Sequence, residues 1–111
     1  MKEKYKSVNL DYDLIVEKYH DLGYYEETVN AYLSDPFFKE LEGMLDDEDY
    51  ELAKDALKGL YILASELCLF PLYECLLEIY EDLQYEMYDE LMKHYREMIE
   101  CYERICNVFH S

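Results

Sequence analysis

One short motif in the sequence has the spacing of a metal-binding helical protein. Glu17 and His20 form an E-x-x-H pattern, which places both side chains on one face of a helix. A carboxylate-bridged di-iron site needs two such motifs and two further glutamates from neighbouring helices. Neither His94 nor His110 has a glutamate three positions earlier, and the i, i+4 spacing of Glu90 and His94 is typical of a surface pair. We therefore predict no metal site and no cofactor.

The four cysteines form no recognised reactive motif. They are Cys68, Cys75, Cys101 and Cys106. Neither consecutive pair has the two-residue gap of a zinc site, and Cys68 and Cys75 lie two helical turns apart, too far for a disulfide within one helix. We expect reduced, half-buried thiols. Because the sequence also lacks a G-x-S-x-G elbow, a Walker-type loop and a Cys-His nucleophile pattern, we predict that the protein is not an enzyme.

The charge balance excludes two classes of partner. The 111 residues include ten Lys and Arg against 27 Asp and Glu, a formal net charge of −17. This charge opposes binding to nucleic-acid phosphates and to anionic lipid surfaces. The first residues lack the apolar region of a secretory signal, and no stretch approaches eighteen uncharged apolar residues. We therefore expect a cytoplasmic protein with no nucleic-acid and no membrane partner.

Helical periodicity dominates the elements that must position these residues. Hydrophobic residues make up 51% of the chain, with only three Gly and two Pro, which argues against a many-turned β-fold. We predict one all-α domain over residues 1–111, an antiparallel four-helix bundle with a short additional N-terminal helix. Residues 1–9 are predicted to be a flexible segment. The fourteen tyrosines are expected at the boundary between the core and the acidic surface.

Two helix predictions bear on the candidate site. The third main helix is predicted over about residues 49–68, with an apolar stripe that has Leu60 at its edge. That stripe consists of Leu52, Ala56, Leu63 and Leu67. No Gly or Pro follows Pro71 before residue 109. Because a continuous helix of that length would measure about 58 Å, we predict a turn near residues 82–85.

The region around residues 35–73 resembles the histidine-phosphotransfer (HPt) domain of bacterial phosphorelays. It contains the run SDPFFKELEGMLDDEDYELAKDALKGLYILASELCLFPLYE, and weaker similarity extends from about Leu10 to Ile105. The resemblance implies a four-helix bundle with a short N-terminal helix. It also implies an exposed phosphoacceptor histidine on the third main helix, followed by Lys three positions later and Gly four positions later.

Two alignments of that motif compete in this chain. Matching the local LKG places Asp55 at the histidine position, followed by Lys58 and Gly59. The ungapped alignment places Lys58 there instead, with Tyr61 and Ile62 in place of the Lys and Gly. We prefer the ungapped alignment because the sequence on both flanks agrees with it. In both alignments the phosphoacceptor histidine is absent.

The resemblance and the missing histidine together predict a pseudo-HPt protein. A lysine carries a protonated ammonium without the free lone pair of a neutral imidazole, so phosphotransfer at Lys58 is not expected. We predict a non-catalytic interaction module in, or derived from, two-component phosphorelay signalling, with a response-regulator receiver domain as partner. The predicted docking face comprises Lys54, Asp55, Lys58, Tyr61, Ile62 and Ser65. The alternative is an acidic adaptor or nucleic-acid mimic that binds a basic protein surface.

Overall fold

The described part of the computed structural model, residues 2–109, is all-α, as the sequence predicts. It contains seven α-helices, one 3-10 turn and no strand. The helices are α1 (Lys2–Lys6), α2 (Tyr12–Tyr19), α3 (Leu22–Leu33), α4 (Phe37–Asp46), α5 (Tyr50–Glu66), α6 (Phe70–Gln84) and α7 (Leu91–Phe109), and the 3-10 turn is Tyr88–Glu90. Its extents are 41 × 23 × 20 Å.

Aspartates begin three of these helices. The side chain of Asp11 accepts from the backbone N–H of Leu14, and Asp21 accepts from Tyr24, both at 3.1 Å. Asp35, just before Pro36, accepts from the backbone N–H of Phe37 at 2.9 Å. These bonds satisfy N–H groups that have no partner within the helix. The interruption at residues 34–36 therefore separates α3 from α4, as the sequence indicates.

Helix α6 packs against both α5 and α7 and runs antiparallel to each. The chain reverses direction at residues 85–87, just after the predicted turn, and Glu86 has a positive φ of 56°. The rings of Tyr50 and Tyr88 stack 4.8 Å apart, so the beginnings of α5 and α7 lie side by side. Helices α5, α6 and α7 thus alternate in direction.

Buried tyrosine hydroxyls join α3 to α5 and α7. Each of three hydroxyls donates to a backbone carbonyl at 2.5–2.6 Å. The pairs are Tyr25 with Leu67, Tyr32 with Leu60, and Tyr102 with Leu33. Further along, the Phe38 ring of α4 stacks on Tyr102 at 4.3 Å. Several tyrosines thus lie deeper than the boundary position we expected, because carbonyl acceptors satisfy their hydroxyls inside the core.

The described part of the segment expected to be flexible, residues 2–9, is ordered; Met1 lies outside the described residues. Lys2–Lys6 form α1, and the Tyr5 side chain is fully buried. Its hydroxyl donates to Glu26 at 2.8 Å, and its ring contacts Phe109 at 5.5 Å between centroids. Lys4 also pairs with Glu26 at 2.9 Å. One aromatic side chain and one shared carboxylate therefore anchor this segment, a long-range arrangement that local composition does not reveal.

The buried side of α5 differs from the predicted apolar stripe. The buried residues of the helix are Ala53, Ala56, Leu57, Leu60 and Ala64. Leu52 and Leu63, which we placed in the core, are 47% and 44% exposed. The prediction for these two residues was wrong because the side of α5 that faces the core is rotated from the predicted stripe and is centred on Leu57, Leu60 and two of the alanines. Small side chains face inward where α5 approaches its neighbours closely.

Candidate functional site

The middle of α5 presents Lys58 to solvent. Lys58 lies 100° around the helix from the buried Leu57 and is exposed. Asp55 and Ile62, at i−3 and i+4 from Lys58, are exposed on the same side, and Ile62 is 43% exposed. This exposure agrees with the place of Lys58 in the predicted docking face.

The other half of the predicted docking face turns toward α6. The Lys54 ammonium donates to Glu51 at 2.9 Å, a hydrogen bond that raises the pKa of Lys54. The half-buried Tyr61 ring contacts the Tyr73 and Tyr80 rings of α6 at 6.0 and 5.5 Å between centroids. Ser65 is also half-buried. The six predicted residues therefore divide into an exposed set and a set with partners inside the protein.

Sequence reasoning missed part of the exposed set. Leu52 and Leu63 are exposed about 120–140° around the helix from Lys58. They lie next to Gly59, where an added Cβ would meet no atom within 4 Å. We define the outer face of α5 as Leu52, Asp55, Lys58, Gly59, Ile62 and Leu63. It offers one cation, one carboxylate, exposed aliphatic side chains and bare helix backbone. It contains no imidazole, thiol or hydroxyl that could act as a nucleophile.

The E-x-x-H motif does not assemble a metal site in the structure. Glu17 and His20 are both exposed, and His20 lies beyond the end of α2 with a positive φ of 58°. Across residues 2–109 no group of three or more His, Cys, Asp or Glu side chains could hold a metal ion. His110 lies outside the described residues.

His94 does not form the surface pair that its spacing from Glu90 suggested. Glu90 pairs with Lys93 at 3.6 Å instead. The His94 ring lies between two carboxylates of α6, with Nδ1 2.5 Å from Asp82 and Nε2 2.7 Å from Glu78. Asp82 is the buried charged residue of the described core, at 3% exposure. These partners are 12 and 16 positions away along the chain, so no local pattern in the sequence points to them.

The electrostatics of this cluster favour a charged imidazole. Burial disfavours the charged ring, but the hydrogen bond to Asp82 and the charges of Asp82, Glu78 and Glu97 outweigh it. The pKa of His94 is therefore raised. A protonated ring can donate from both nitrogens, one to each carboxylate. The cluster thus holds α6 and α7 together through one cation between two anions.

A second reactive group lies on the same two helices. All four cysteines are free thiols, and two of them, Cys68 and Cys101, are buried. Cys75 on α6 and Cys101 on α7 are neighbours that shift each other's pKa. The pKa of Cys101 is lowered by Cys75 and by the Arg104 guanidinium, whereas the pKa of Cys75 is raised by Cys101 and by burial. We call Cys75, Glu78, Asp82, His94 and Cys101 the reactive groups of the α6–α7 interface.

An open groove of about 590 Å³ runs between α4 and α7. Its floor is apolar, with Met92, Tyr95 and Ile99, and its rim carries charges of both signs, including Lys39 and Glu100. These groups do not converge on a common point in a way that would recognise a particular ligand. The groove therefore adds no chemistry to the outer face of α5.

Comparisons with known proteins leave the family open. No family model matches the chain, and searches of curated proteins and of solved structures find no match. The resemblance to HPt domains accordingly stays a prediction from the residues quoted above. Within residues 2–109, none of the helices combines the length and the apolar character needed to cross a bilayer.

Proposed function

We propose that the protein is a non-catalytic, HPt-like interaction module of the cytoplasm that docks on a response-regulator receiver domain through the outer face of α5. In this proposal α3 and α4 together form one column of a four-helix bundle, and α5, α6 and α7 form the other three. The observation that carries the proposal is the exposed Lys58 ammonium in the middle of α5. It occupies the position at which the resemblance places the phosphoacceptor histidine.

The chemistry of the outer face supports binding without phosphotransfer. An HPt phosphoacceptor must present a nucleophilic nitrogen to the phosphoryl group, and a lysine ammonium has no free lone pair. The described histidines are elsewhere: His20 follows α2, and His94 is bonded to two carboxylates in the α6–α7 interface. None of them lies on α5.

The same face has the features that docking needs. Receiver domains carry an acidic phosphorylation pocket, and a cation at its mouth would pair with the pocket carboxylates. Ile62, one turn from Lys58, would bury apolar surface beside that ion pair, since it is 43% exposed in the free protein. Gly59 leaves the helix backbone open to close approach. The contact with the receiver domain would be confined to the outer face of α5, because the acidic surface elsewhere on the protein would repel an acidic partner.

A phosphotransfer assay tests the non-catalytic part of the proposal. The purified protein would be incubated with phosphorylated receiver domains from the same organism, with an authentic HPt domain as the positive control. We expect phosphate to reach the control and not this chain. Acid-labile phosphate on any of its histidines would overturn the proposal.

A binding assay tests the docking part. Affinities for those receiver domains would be measured by calorimetry for the wild type, Lys58→Glu and Lys93→Glu. Lys93 is a matched control, because it makes the same charge change on an exposed side chain of α7. We expect Lys58→Glu to weaken binding by about tenfold or more, equivalent to about 1.4 kcal/mol, and Lys93→Glu to leave it within about twofold. Equal losses in both variants, or no binding receiver, would refute docking through α5.

An acidic adaptor is the second candidate function, and the exposed acidic turn at residues 46–49 favours it. Such a protein would bind a basic surface, so its affinity would fall steeply with added salt. Lys58→Glu would then strengthen binding, because it adds negative charge. The sign of that change separates the two functions in a single experiment.

A further inference from the structure

The packing of α6 against α7 places two cysteines opposite each other. The His94–Asp82 contact at 2.5 Å aligns the two antiparallel helices. Cys75 lies seven residues before Asp82 on α6, and Cys101 lies seven residues after His94 on α7. Seven residues are nearly two turns of an α-helix. Both cysteines are therefore displaced by the same distance in the same direction, and they face each other across the interface.

The contact between their side chains agrees with this geometry. The two thiols shift each other's pKa, as neighbouring groups do, and Arg104, one turn beyond Cys101, helps to lower the pKa of Cys101. Cys75 is half-buried, which gives small molecules access from solvent, whereas Cys101 is only 5% exposed. The other two cysteines differ, since Cys68 follows the end of α5 and Cys106 contacts the Tyr102 hydroxyl.

We propose that Cys75 and Cys101 form a reversible disulfide that joins α6 to α7 when a small hydroperoxide such as hydrogen peroxide reaches the interface. Two facing thiols, one beside a cation and the other accessible, have the arrangement of a redox-sensitive pair. The site requires a small oxidant because the Cys101 sulfur is almost completely covered. Neither cysteine lies on α5, so the site is separate from the proposed docking face.

The reaction has two steps and uses one peroxide molecule. In the first, the Cys101 thiolate attacks a peroxide oxygen, the O–O bond breaks, and the leaving hydroxide takes up a proton to become water. Cys101 is then a sulfenic acid. In the second, Cys75 loses its proton and its sulfur attacks the Cys101 sulfur, the S–O bond breaks, and a second water leaves. The two thiols lose two electrons and two protons, and the peroxide accepts both.

Mass spectrometry of a variant with only this pair tests the proposal. In Cys68→Ser/Cys106→Ser, we expect a near-stoichiometric amount of peroxide at neutral pH to remove about 2 Da, two hydrogens, from the monomer. Dithiothreitol should restore the mass, and proteolysis of the oxidised protein should link the Cys75 and Cys101 peptides. The wild type should give the same linkage. A disulfide that uses Cys68 or Cys106, a disulfide-linked dimer, or no disulfide would overturn the proposal.

Two further measurements distinguish a specific Cys75–Cys101 disulfide from general oxidation of the thiols. In Cys75→Ser, the sulfenic acid has no partner, so peroxide should add oxygen to Cys101, an increase of about 16 Da or a multiple of it in the Cys101 peptide that is absent from the wild type. The bridge should also raise the midpoint of thermal unfolding of Cys68→Ser/Cys106→Ser by roughly 5 °C or more, and dithiothreitol should reverse it. Equal oxygen addition to Cys101 in the wild type and Cys75→Ser, or a lowered midpoint in the oxidised protein, would contradict the inference.

Discussion

Two regions of the molecule differ in where their side chains find partners. The outer face of α5 is exposed to solvent, whereas the reactive groups of the α6–α7 interface have partners inside the protein. On the outer face, Lys58 and Ile62 are exposed, and the space beside Gly59 is open. In the α6–α7 interface, His94 lies between Glu78 and Asp82, and the two thiols contact each other. The side chains of the first region are available to a partner molecule. The side chains of the second region join α6 to α7.

This difference separates binding from stability. A side chain without internal contacts contributes little to folding, so changing it alters mainly what the protein can bind. A buried group that is paired inside the core costs stability when its partner is removed, because the remaining group loses both water and its counterpart. Variants in the two regions should therefore fall into distinct classes, and the following predictions test that division.

The largest expected effect compares two leucines of α5. Leu60 is 2% exposed and Leu63 is 44% exposed, although they are three residues apart. Leu60→Ala should lower the free energy of unfolding by about 3 kcal/mol, because it leaves a cavity in the core. Leu63→Ala should cost less than about 1 kcal/mol. Urea denaturation measures both, and equal losses would show that the outer face of α5 is buried.

The second effect concerns the carboxylate beneath His94. Asp82→Ala should lower the free energy of unfolding by about 2 kcal/mol, because the His94 ring then lacks its buried hydrogen-bond partner. Glu81→Ala is the matched control, as it removes an exposed carboxylate from the next position of α6 and should change stability by less than about 0.5 kcal/mol. A loss in Asp82→Ala no larger than in this control would remove the distinction between the two regions.

The third effect is a pH dependence. The folded-state pKa of His94 is raised, so the cluster stabilises the protein fully below the unfolded pKa of about 6.5. This contribution is lost as the pH rises through the folded-state pKa, when the ring gives up its proton between Asp82 and Glu78. We expect the unfolding free energy to fall above about pH 6.5 in the wild type and to fall less in His94→Gln. Parallel curves for the two proteins, measured by chemical denaturation at several pH values, would contradict this.

The smallest expected effect is an increase in the free energy of unfolding. A Cβ at Gly59 or at Gly43 would meet nothing within 4 Å, so alanine at either position should stabilise its helix by about 0.5–1 kcal/mol. If the outer face docks closely on a partner, Gly59→Ala should also weaken receiver binding, whereas Gly43→Ala in α4 should not. Thermal unfolding and calorimetry on the same pair of variants measure both. A destabilised Gly59→Ala would mean that α5 is more crowded than the structure shows.

The sequence predicts where the helices lie along the chain better than it predicts which side of each helix is buried. Periodicity correctly indicated the long helix at α5, and the length limit of a compact domain indicated the reversal after α6. Periodicity placed Leu52 and Leu63 inside, because apolar spacing alone does not reveal which side of a helix faces its neighbours. The burial of Tyr5 was missed for a related reason: its partners Glu26 and Phe109 come from distant parts of the chain.

The sequence by itself determined that the chain is helical and strongly acidic, and that α5 carries no histidine, because composition and local spacing are properties of the chain alone. Only the tertiary structure decided which groups meet. It turned Lys54 and Tyr61 toward other side chains while Lys58 stayed exposed, and it brought together Cys75 and Cys101. The physical reason is that the pairing of α6 with α7 depends on how whole helices pack, and two residues 26 positions apart leave no periodic signal in the sequence.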